Sequence, residues 1–341
     1  MRLLLFFLVL SAGVITGCNN SADNNDTGND SSRNAVNGDN VEATKSAGPV
    51  LDTADYNKRI EYMVNGDTSG FWPVDGPYPL PGAILPFKRV VAYYGNLYSK
   101  RMGALGEYPK EEMFKRLLAE VDNWNKADSL TPAIPALHYI AVTAQGAPGK
   151  DGKYRARMPF SQIDTIMNWS KEIDALVFLD IQVGHSNVKE ETEQFVEYFK
   201  NPKVHFGIDP EFSMKGGERP GSVIGHFTAA DINSVIDVLA NVVKENNLPP
   251  KMLVIHRFTQ NMIKNYKDIK LVPEVQVIID MDGWGPKDLK AGTWRHFIHR
   301  EPVQFTGFKI FYKNDLKKGG PLYTAEELMR YKPRPLYIQY Q

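Results

Sequence analysis

Cysteine is almost absent: Cys18 is the only one in 341 residues. That excludes an intramolecular disulfide framework and any zinc cluster built on cysteine. Net charge is absent too, because 40 Lys and Arg balance 40 Asp and Glu, so no basic surplus is available to grip a nucleic acid. The chain has no G-x-S-x-G elbow, no H-x-H or H-E-x-x-H pair, and no internal repeat; these absences argue against a serine triad and a metalloprotease-type site. No apolar run is long enough to span a bilayer comfortably, since Leu3 to Ile15 is about 13 residues against the roughly 20 a helix requires. What is present is a composition that fills a large core, with 43% hydrophobic and 11% aromatic residues, and it rules out a wholly disordered chain.

The N-terminus reads as a targeting segment. Arg2, the apolar run and the small residues Thr16-Gly17 before Cys18 have the order of a cleaved signal peptide. Ile15-Thr16-Gly17-Cys18 resembles the bacterial lipobox. The resemblance implies that Cys18 opens the mature chain and carries lipid, anchoring it to a membrane of the cell envelope with the protein facing the periplasm or the cell surface. Each acyl methylene buried contributes about 0.8 kcal/mol. After Cys18 the chain to about Gly48 is mostly Asn, Asp, Ser, Gly and Thr, too polar to offset chain entropy, and is expected to be a solvated tether. The expected organisation is a signal peptide over 1–17, lipidated cysteine and linker over 18–52, and a single folded domain over 53–341.

That domain alternates strand and helix. Short runs rich in Val, Ile, Phe and Tyr lie at Val90–Tyr94, Ala136–Thr143, Leu176–Val183, Val204–Phe212, Met252–Phe258, Val275–Asp282, Thr306–Tyr312 and Leu336–Tyr340. Helix-spaced apolar residues fall between them, at Glu111–Asn123, Glu190–Lys200 and Ala229–Asn246. The order predicts an α/β fold with a parallel sheet, and eight strands predict closure into a (β/α)8 TIM barrel rather than an open doubly wound sheet. Thr53 to Lys88 is expected to wrap the barrel. Ala144 to Phe160 and the glycine-rich Ser213 to Phe227 are expected to be long loops over its mouth, and Trp72, Trp124, Trp169 and Trp294 to be packing residues.

Reading the strands at period two separates an aliphatic face from a polar one. Val177, Leu179 and Ile181 oppose Phe178, Asp180 and Gln182; Val277, Ile279 and Met281 oppose Gln276, Asp280 and Asp282. His205, Gly207, Asp209 and Glu211 share the polar face of their segment, and Tyr337 and Gln339 that of the last strand. With His256 and Lys309, these residues predict a polar site at the C-terminal mouth, where barrel enzymes place their chemistry. Asp209 and Glu211 are expected to crowd one another, so that one carboxyl stays protonated near neutral pH, the state that glycosidic cleavage requires of its acid.

Ile208-Asp209-Pro210-Glu211 resembles the D-x-E element of barrel glycoside hydrolases acting on N-acetylhexosamine polymers, the chitinase-like and Chalaropsis-type lysozyme families. The resemblance implies Glu211 as general acid/base, Asp209 as the residue orienting a substrate acetamido group, and Asp280 or Asp282 as a further carboxylate. Two positions depart from the chitinase pattern, Val204 and Gly207 standing where aspartates are expected, and the first strand lacks the aspartate of the lysozyme type. Asp180 completes the candidate catalytic set. Tyr93, Tyr94, Gln182, His256, Trp284, Lys309, Tyr312 and Gln339 are candidate substrate-binding residues, the aromatic ones by stacking on sugar faces. The expected partner is a polysaccharide or glycan, with no cofactor and no nucleic acid. Two alternatives stand beside this reading. One is a metal-dependent deacetylase or phosphoesterase using Asp180, His185 and His256 with Asp209 or Asp282; the other is a glycan-binding protein without turnover.

Overall fold

The computed structural model describes residues 50–341; the expected signal peptide, Cys18 and the linker through residue 49 lie outside the described residues. Eight parallel strands close into a barrel: β1 (Arg89–Gly95), β2 (Ala133–Ala144), β3 (Leu176–Ile181), β4 (Val204–Ile208), β5 (Lys251–Arg257), β6 (Val275–Met281), β7 (Phe305–Ile310) and β8 (Tyr337–Tyr340). Closure is explicit in the register, since Val90 of β1 pairs with Ile134 of β2 on one side and with Tyr337 of β8 on the other.

The strands form here because each carries two apolar or semi-polar faces with different partners. Leu137, Tyr139, Val177, Leu179, Phe206, Leu253, Ile255, Val277, Ile279 and Ile338 are buried against the helices. Val90, Ala92, Ala136, Phe178, Met252, Val254 and Ile278 belong to a second, inner cluster. Parallel sheets covered on both faces read as such near-continuous apolar runs.

The helical layer is uneven. α1 (Thr53–Val64) precedes the barrel, capped by the Asp52 side chain and closed by Asn65 in the left-handed region. α2 (Lys110–Ala127) and α3 (Phe160–Glu172) follow β1 and β2. α4 (Val188–Glu193) follows β3; the expected helix over Glu190–Lys200 is broken after Glu193 and resumes only over Val196–Phe199. α5 (Ala229–Asn246) begins with reciprocal capping between Thr228 and Asp231. Between β5 and β6 lie short 3₁₀ turns and a two-residue strand, Ile263–Lys264, that pairs with Phe227–Thr228, and α6 (Lys287–Thr293) and α7 (Ala325–Leu328) cover the last two crossings.

Residues before β1 fill the floor of the barrel. Trp72 and Leu85 pack with Val90, Ala92, Leu176, Met252 and Phe305. Gln276, at the start of β6, accepts from Leu85 N at 3.2 Å and donates to Leu85 O at 2.6 Å, so the inserted backbone finds its hydrogen bonds inside. The aliphatic floor leaves the opposite, C-terminal end to polar side chains.

The loop after β2 is more ordered than its glycines suggest. Arg155–Arg157 turns back as a short antiparallel strand on Val142–Ala144. Arg155 and Arg157 then reach the buried carboxylate of Glu191 on α4 at 2.7 and 2.8 Å, and Ser186 adds a third donor. Trp72, Trp124 and Trp294 are buried as expected, and Trp169 packs partly buried against the core.

Candidate active site at the carboxyl mouth

The period-two reading places the polar faces on the barrel axis. Asp180, Gln182, Asp209, His256, Asp280, Lys309 and Gln339 are all buried there. Tyr94 donates to Asp180 Oδ2 at 2.9 Å, and its ring lies beneath Lys309 Nζ, 3.9 Å from the ring centre. Lys309 Nζ ion-pairs with Asp282 Oδ1 at 2.9 Å. The other Asp282 oxygen is 3.1 Å from His256 Nδ1, which is also 3.4 Å from Asp280 Oδ2. His256 therefore sits in a ring of carboxylates contributed by β3, β6 and the segment after β6.

Two inward glycines make this crowding possible. Gly207 is the register partner of Asp180, and Gly307 that of Asp280. A Cβ at Gly207 would stand 2.4 Å from Asp180 Oδ1, and one at Gly307 2.6 Å from Asp280 Oδ1.

Strand β4 ends at Ile208, short of the expected Phe212. Asp209 caps a 3₁₀ turn over Pro210–Phe212 by accepting from Glu211 N at 3.0 Å, so Glu211 stands on a turn rather than on the strand. Proline at the first position of the turn explains the stop, since it has no N–H to continue a ladder. The Asp209 carboxyl is held from the other side by Gln182 Nε2 at 3.2 Å.

The electrostatics divide the carboxyls into two kinds. Burial, with the nearby Asp209 and Asp282 charges, pushes Glu211 up to about 8. Burial also pushes Asp209 up to about 7, where the pull of His256 is outweighed by burial together with Asp282 and Asp180. Burial opposes ionisation of Asp282 as well, but Lys309 and then His256 overcome it and hold Asp282 below its usual range. Burial likewise opposes the charge on His256, and the Asp180 and Asp282 carboxylates prevail and hold it protonated well above the ordinary histidine range. A carboxylic acid that keeps its proton beside an ion-paired carboxylate is an acid/base arrangement.

Some expected residues are elsewhere. Tyr93 faces outward with Val91, its hydroxyl 3.0 Å from that of Tyr312, and Tyr312 donates to Glu120 on α2 at 2.8 Å. Both belong to the strand–helix interface, and Tyr312 with Tyr340 and Tyr323 lines a cavity of about 270 Å³ on that outer side rather than the mouth. His185, a ligand only under the alternative metal-dependent reading, lies 2.7 Å from Glu218 O, its ring against Tyr154. His299 Nε2 pairs with Asp67 at 2.6 Å. Trp284 is 43% exposed, with the Lys317 and Lys318 ammonium groups 5.6 and 6.0 Å from its ring.

No family model matches the sequence, and no curated protein matches it. Solved structures similar to the chain include a hyperthermophilic endo-β-1,4-glucanase in complex with substrate, at 12% identity and TM-score 0.40, covering 75% of this chain and 89% of that one. A Bacillus subtilis mannanase matches at 11% identity and TM-score 0.35, covering 75% and 81%. A sugar phosphate isomerase/epimerase from Parabacteroides distasonis matches at 10% identity and TM-score 0.34, covering 79% and 90%. The likeness is one of distant fold and carries no information on the chemistry of this chain.

One inward residue, His138, escaped the sequence reading. His138 of β2 stacks on Phe178 with ring centres 5.2 Å apart, and its Nδ1 is 2.5 Å from the Tyr337 hydroxyl. Gln339 Nε2 donates to the same hydroxyl at 2.8 Å. The signal was available: His138 has the parity of Ala136, opposite Leu137 and Tyr139.

Proposed function

We propose that the mouth is the active site of a carbohydrate-active hydrolase that cleaves a glycosidic bond with Glu211 as proton donor. The observation that carries this reading is the partly exposed Glu211, crowded by Asp209 and facing an Asp282 that Lys309 keeps ionised. In the first step the Glu211 proton passes to the glycosidic oxygen as the bond from the anomeric carbon breaks. Asp209, held by Gln182 and the Glu211 amide, orients the group that stabilises the anomeric carbon, a substrate acetamido oxygen in an N-acetylhexosamine polymer. Water then adds to that carbon and returns its proton to Glu211, so the acid is regenerated. Lipid anchoring through Cys18 would place this activity at the cell envelope.

The test is turnover by the full-length chain on peptidoglycan, chitin-type oligomers and other bacterial or dietary glycans, followed as new reducing ends. Glu211→Gln and Asp209→Asn should each lower kcat by about a hundredfold or more. Retention of wild-type turnover by both variants defeats the reading. Glycan affinity with no turnover by the wild type replaces it with a binding protein.

A further inference from the structure

Below the Glu211 mouth, three side chains from three strands aim unsatisfied atoms at a common point. His138 Nε2 and His256 Nε2 each lie 3.5 Å from Asp180 Oδ1, and all three side chains are fully buried. One donor atom from each lies within 4.8 Å of the other two. None of these three atoms has a hydrogen-bond partner. A buried polar group left unpaired costs about 1–3 kcal/mol, so three at one point require a reason.

Hydrogen bonding within the trio does not supply one. Charge-assisted bonds from the two rings to Asp180 would draw the atoms to about 2.7–2.9 Å, well inside the observed 3.5 Å. The two observed spacings to Asp180 Oδ1 instead lie close to the edge of a coordination tetrahedron. Ligands about 2.0–2.1 Å from a zinc ion at tetrahedral angles stand about 3.3–3.4 Å apart.

The remaining polar atoms of the three residues face other groups. His138 Nδ1 meets the Tyr337 hydroxyl, and His256 Nδ1 faces the Asp282 carboxylate at 3.1 Å. Asp180 Oδ2 accepts from Tyr94. Metal-binding histidines characteristically have the second ring nitrogen oriented by such an outer group, and a cation at His256 Nε2 takes the place of the proton that this nitrogen carries in the metal-free ring, which is released on binding. Gly207 keeps the centre open, because a Cβ there would stand 2.4 Å from Asp180 Oδ1 and 2.6 Å from His138 Nε2.

We propose that His138, Asp180 and His256 form a site for a first-row divalent cation of the Zn²⁺ class, with a fourth position left for water or a substrate oxygen. Two imidazoles and one carboxylate suit such an ion, and three protein ligands with one open position is the pattern of catalytic rather than structural zinc. The proposal is independent of the glycan reading, because binding and not turnover tests it.

The full-length chain, stripped with a chelator and dialysed against Zn²⁺, should hold one ion per chain by elemental analysis. Co²⁺ in its place should give the visible d–d absorption of a low-coordinate N/O site. Asp180→Asn and His138→Gln should weaken Zn²⁺ binding by about tenfold or more, whereas His185→Ala leaves it unchanged. Thermal melting of the metal-free variants shows whether they fold. Should either fail to fold, anomalous scattering from wild-type crystals soaked in Zn²⁺ decides the matter, with a peak expected among the three side chains. Absence of bound Zn²⁺, unchanged affinity in both folded variants, or a peak elsewhere overturns the proposal.

Discussion

Asp180 of β3 and Gly207 of β4 are register partners, and the side chain that Gly207 lacks is the space into which Asp180 Oδ1 projects. Gly207→Ala should therefore displace Asp180 and His138 together. Overpacking of this kind costs about 1–3 kcal/mol, measurable as a lower urea midpoint at unchanged slope. The same substitution at Gly292, where a Cβ meets nothing within 4 Å and the residue lies within α6, should instead raise stability by about 0.5–1 kcal/mol.

Glu211 and Asp209 should make stability fall as pH rises. In the folded protein their carboxyls keep protons up to about 8 and about 7, whereas in the unfolded chain they release them near the ordinary value of about 4. Unfolding thus releases protons between these limits. The stabilisation is complete below about pH 4 and is lost as pH rises through the folded values. Glu211→Gln should flatten melting temperature against pH over this window and melt above wild type near pH 8, as scanning calorimetry would show. Under the glycan reading turnover requires the protonated acid, so wild-type kcat/KM should decline above about pH 8.

Glu191 ties the return strand after β2 to α4 through Arg155 and Arg157. Removing a fully buried charge partner costs about 3–5 kcal/mol, but Arg157 is 43% exposed and water recovers part of its solvation. Glu191→Gln should cost about 2–3 kcal/mol in urea denaturation and speed amide exchange over residues 155–157.

Trp284 presents its ring to solvent just after β6, on the mouth side. Under the glycan reading, Trp284→Ala should raise KM by about threefold to tenfold, as expected for loss of one stacking surface, with kcat and melting temperature little changed. A matching fall in kcat with KM constant would assign the ring to the chemical step instead.

Strand count and inward parity were legible because a barrel strand has two buried faces with different partners: Val177 and Leu179 meet helices while Asp180 and Gln182 meet the axis. The same rule puts Tyr93 with Val91 on the helix face, which is where the structure has it. Glu211 shows where periodicity ends, since Pro210 stops the strand and alternation no longer governs direction beyond Ile208. His138 was hidden in an otherwise apolar segment, and its meeting with Asp180 and His256 depends on the closed register, not on any local spacing. Broken helices were illegible for a related reason: a single turn such as Ala325–Leu328 is held by its capping and packing rather than by a long periodic pattern.

The Leu85 backbone locked onto Gln276 turns the barrel into a cul-de-sac. Under the glycan reading, a polymer cannot thread through it and reaches Glu211 only across the carboxyl mouth. Under that reading the product leaves by the side on which the next substrate arrives, so a product that lingers should inhibit competitively.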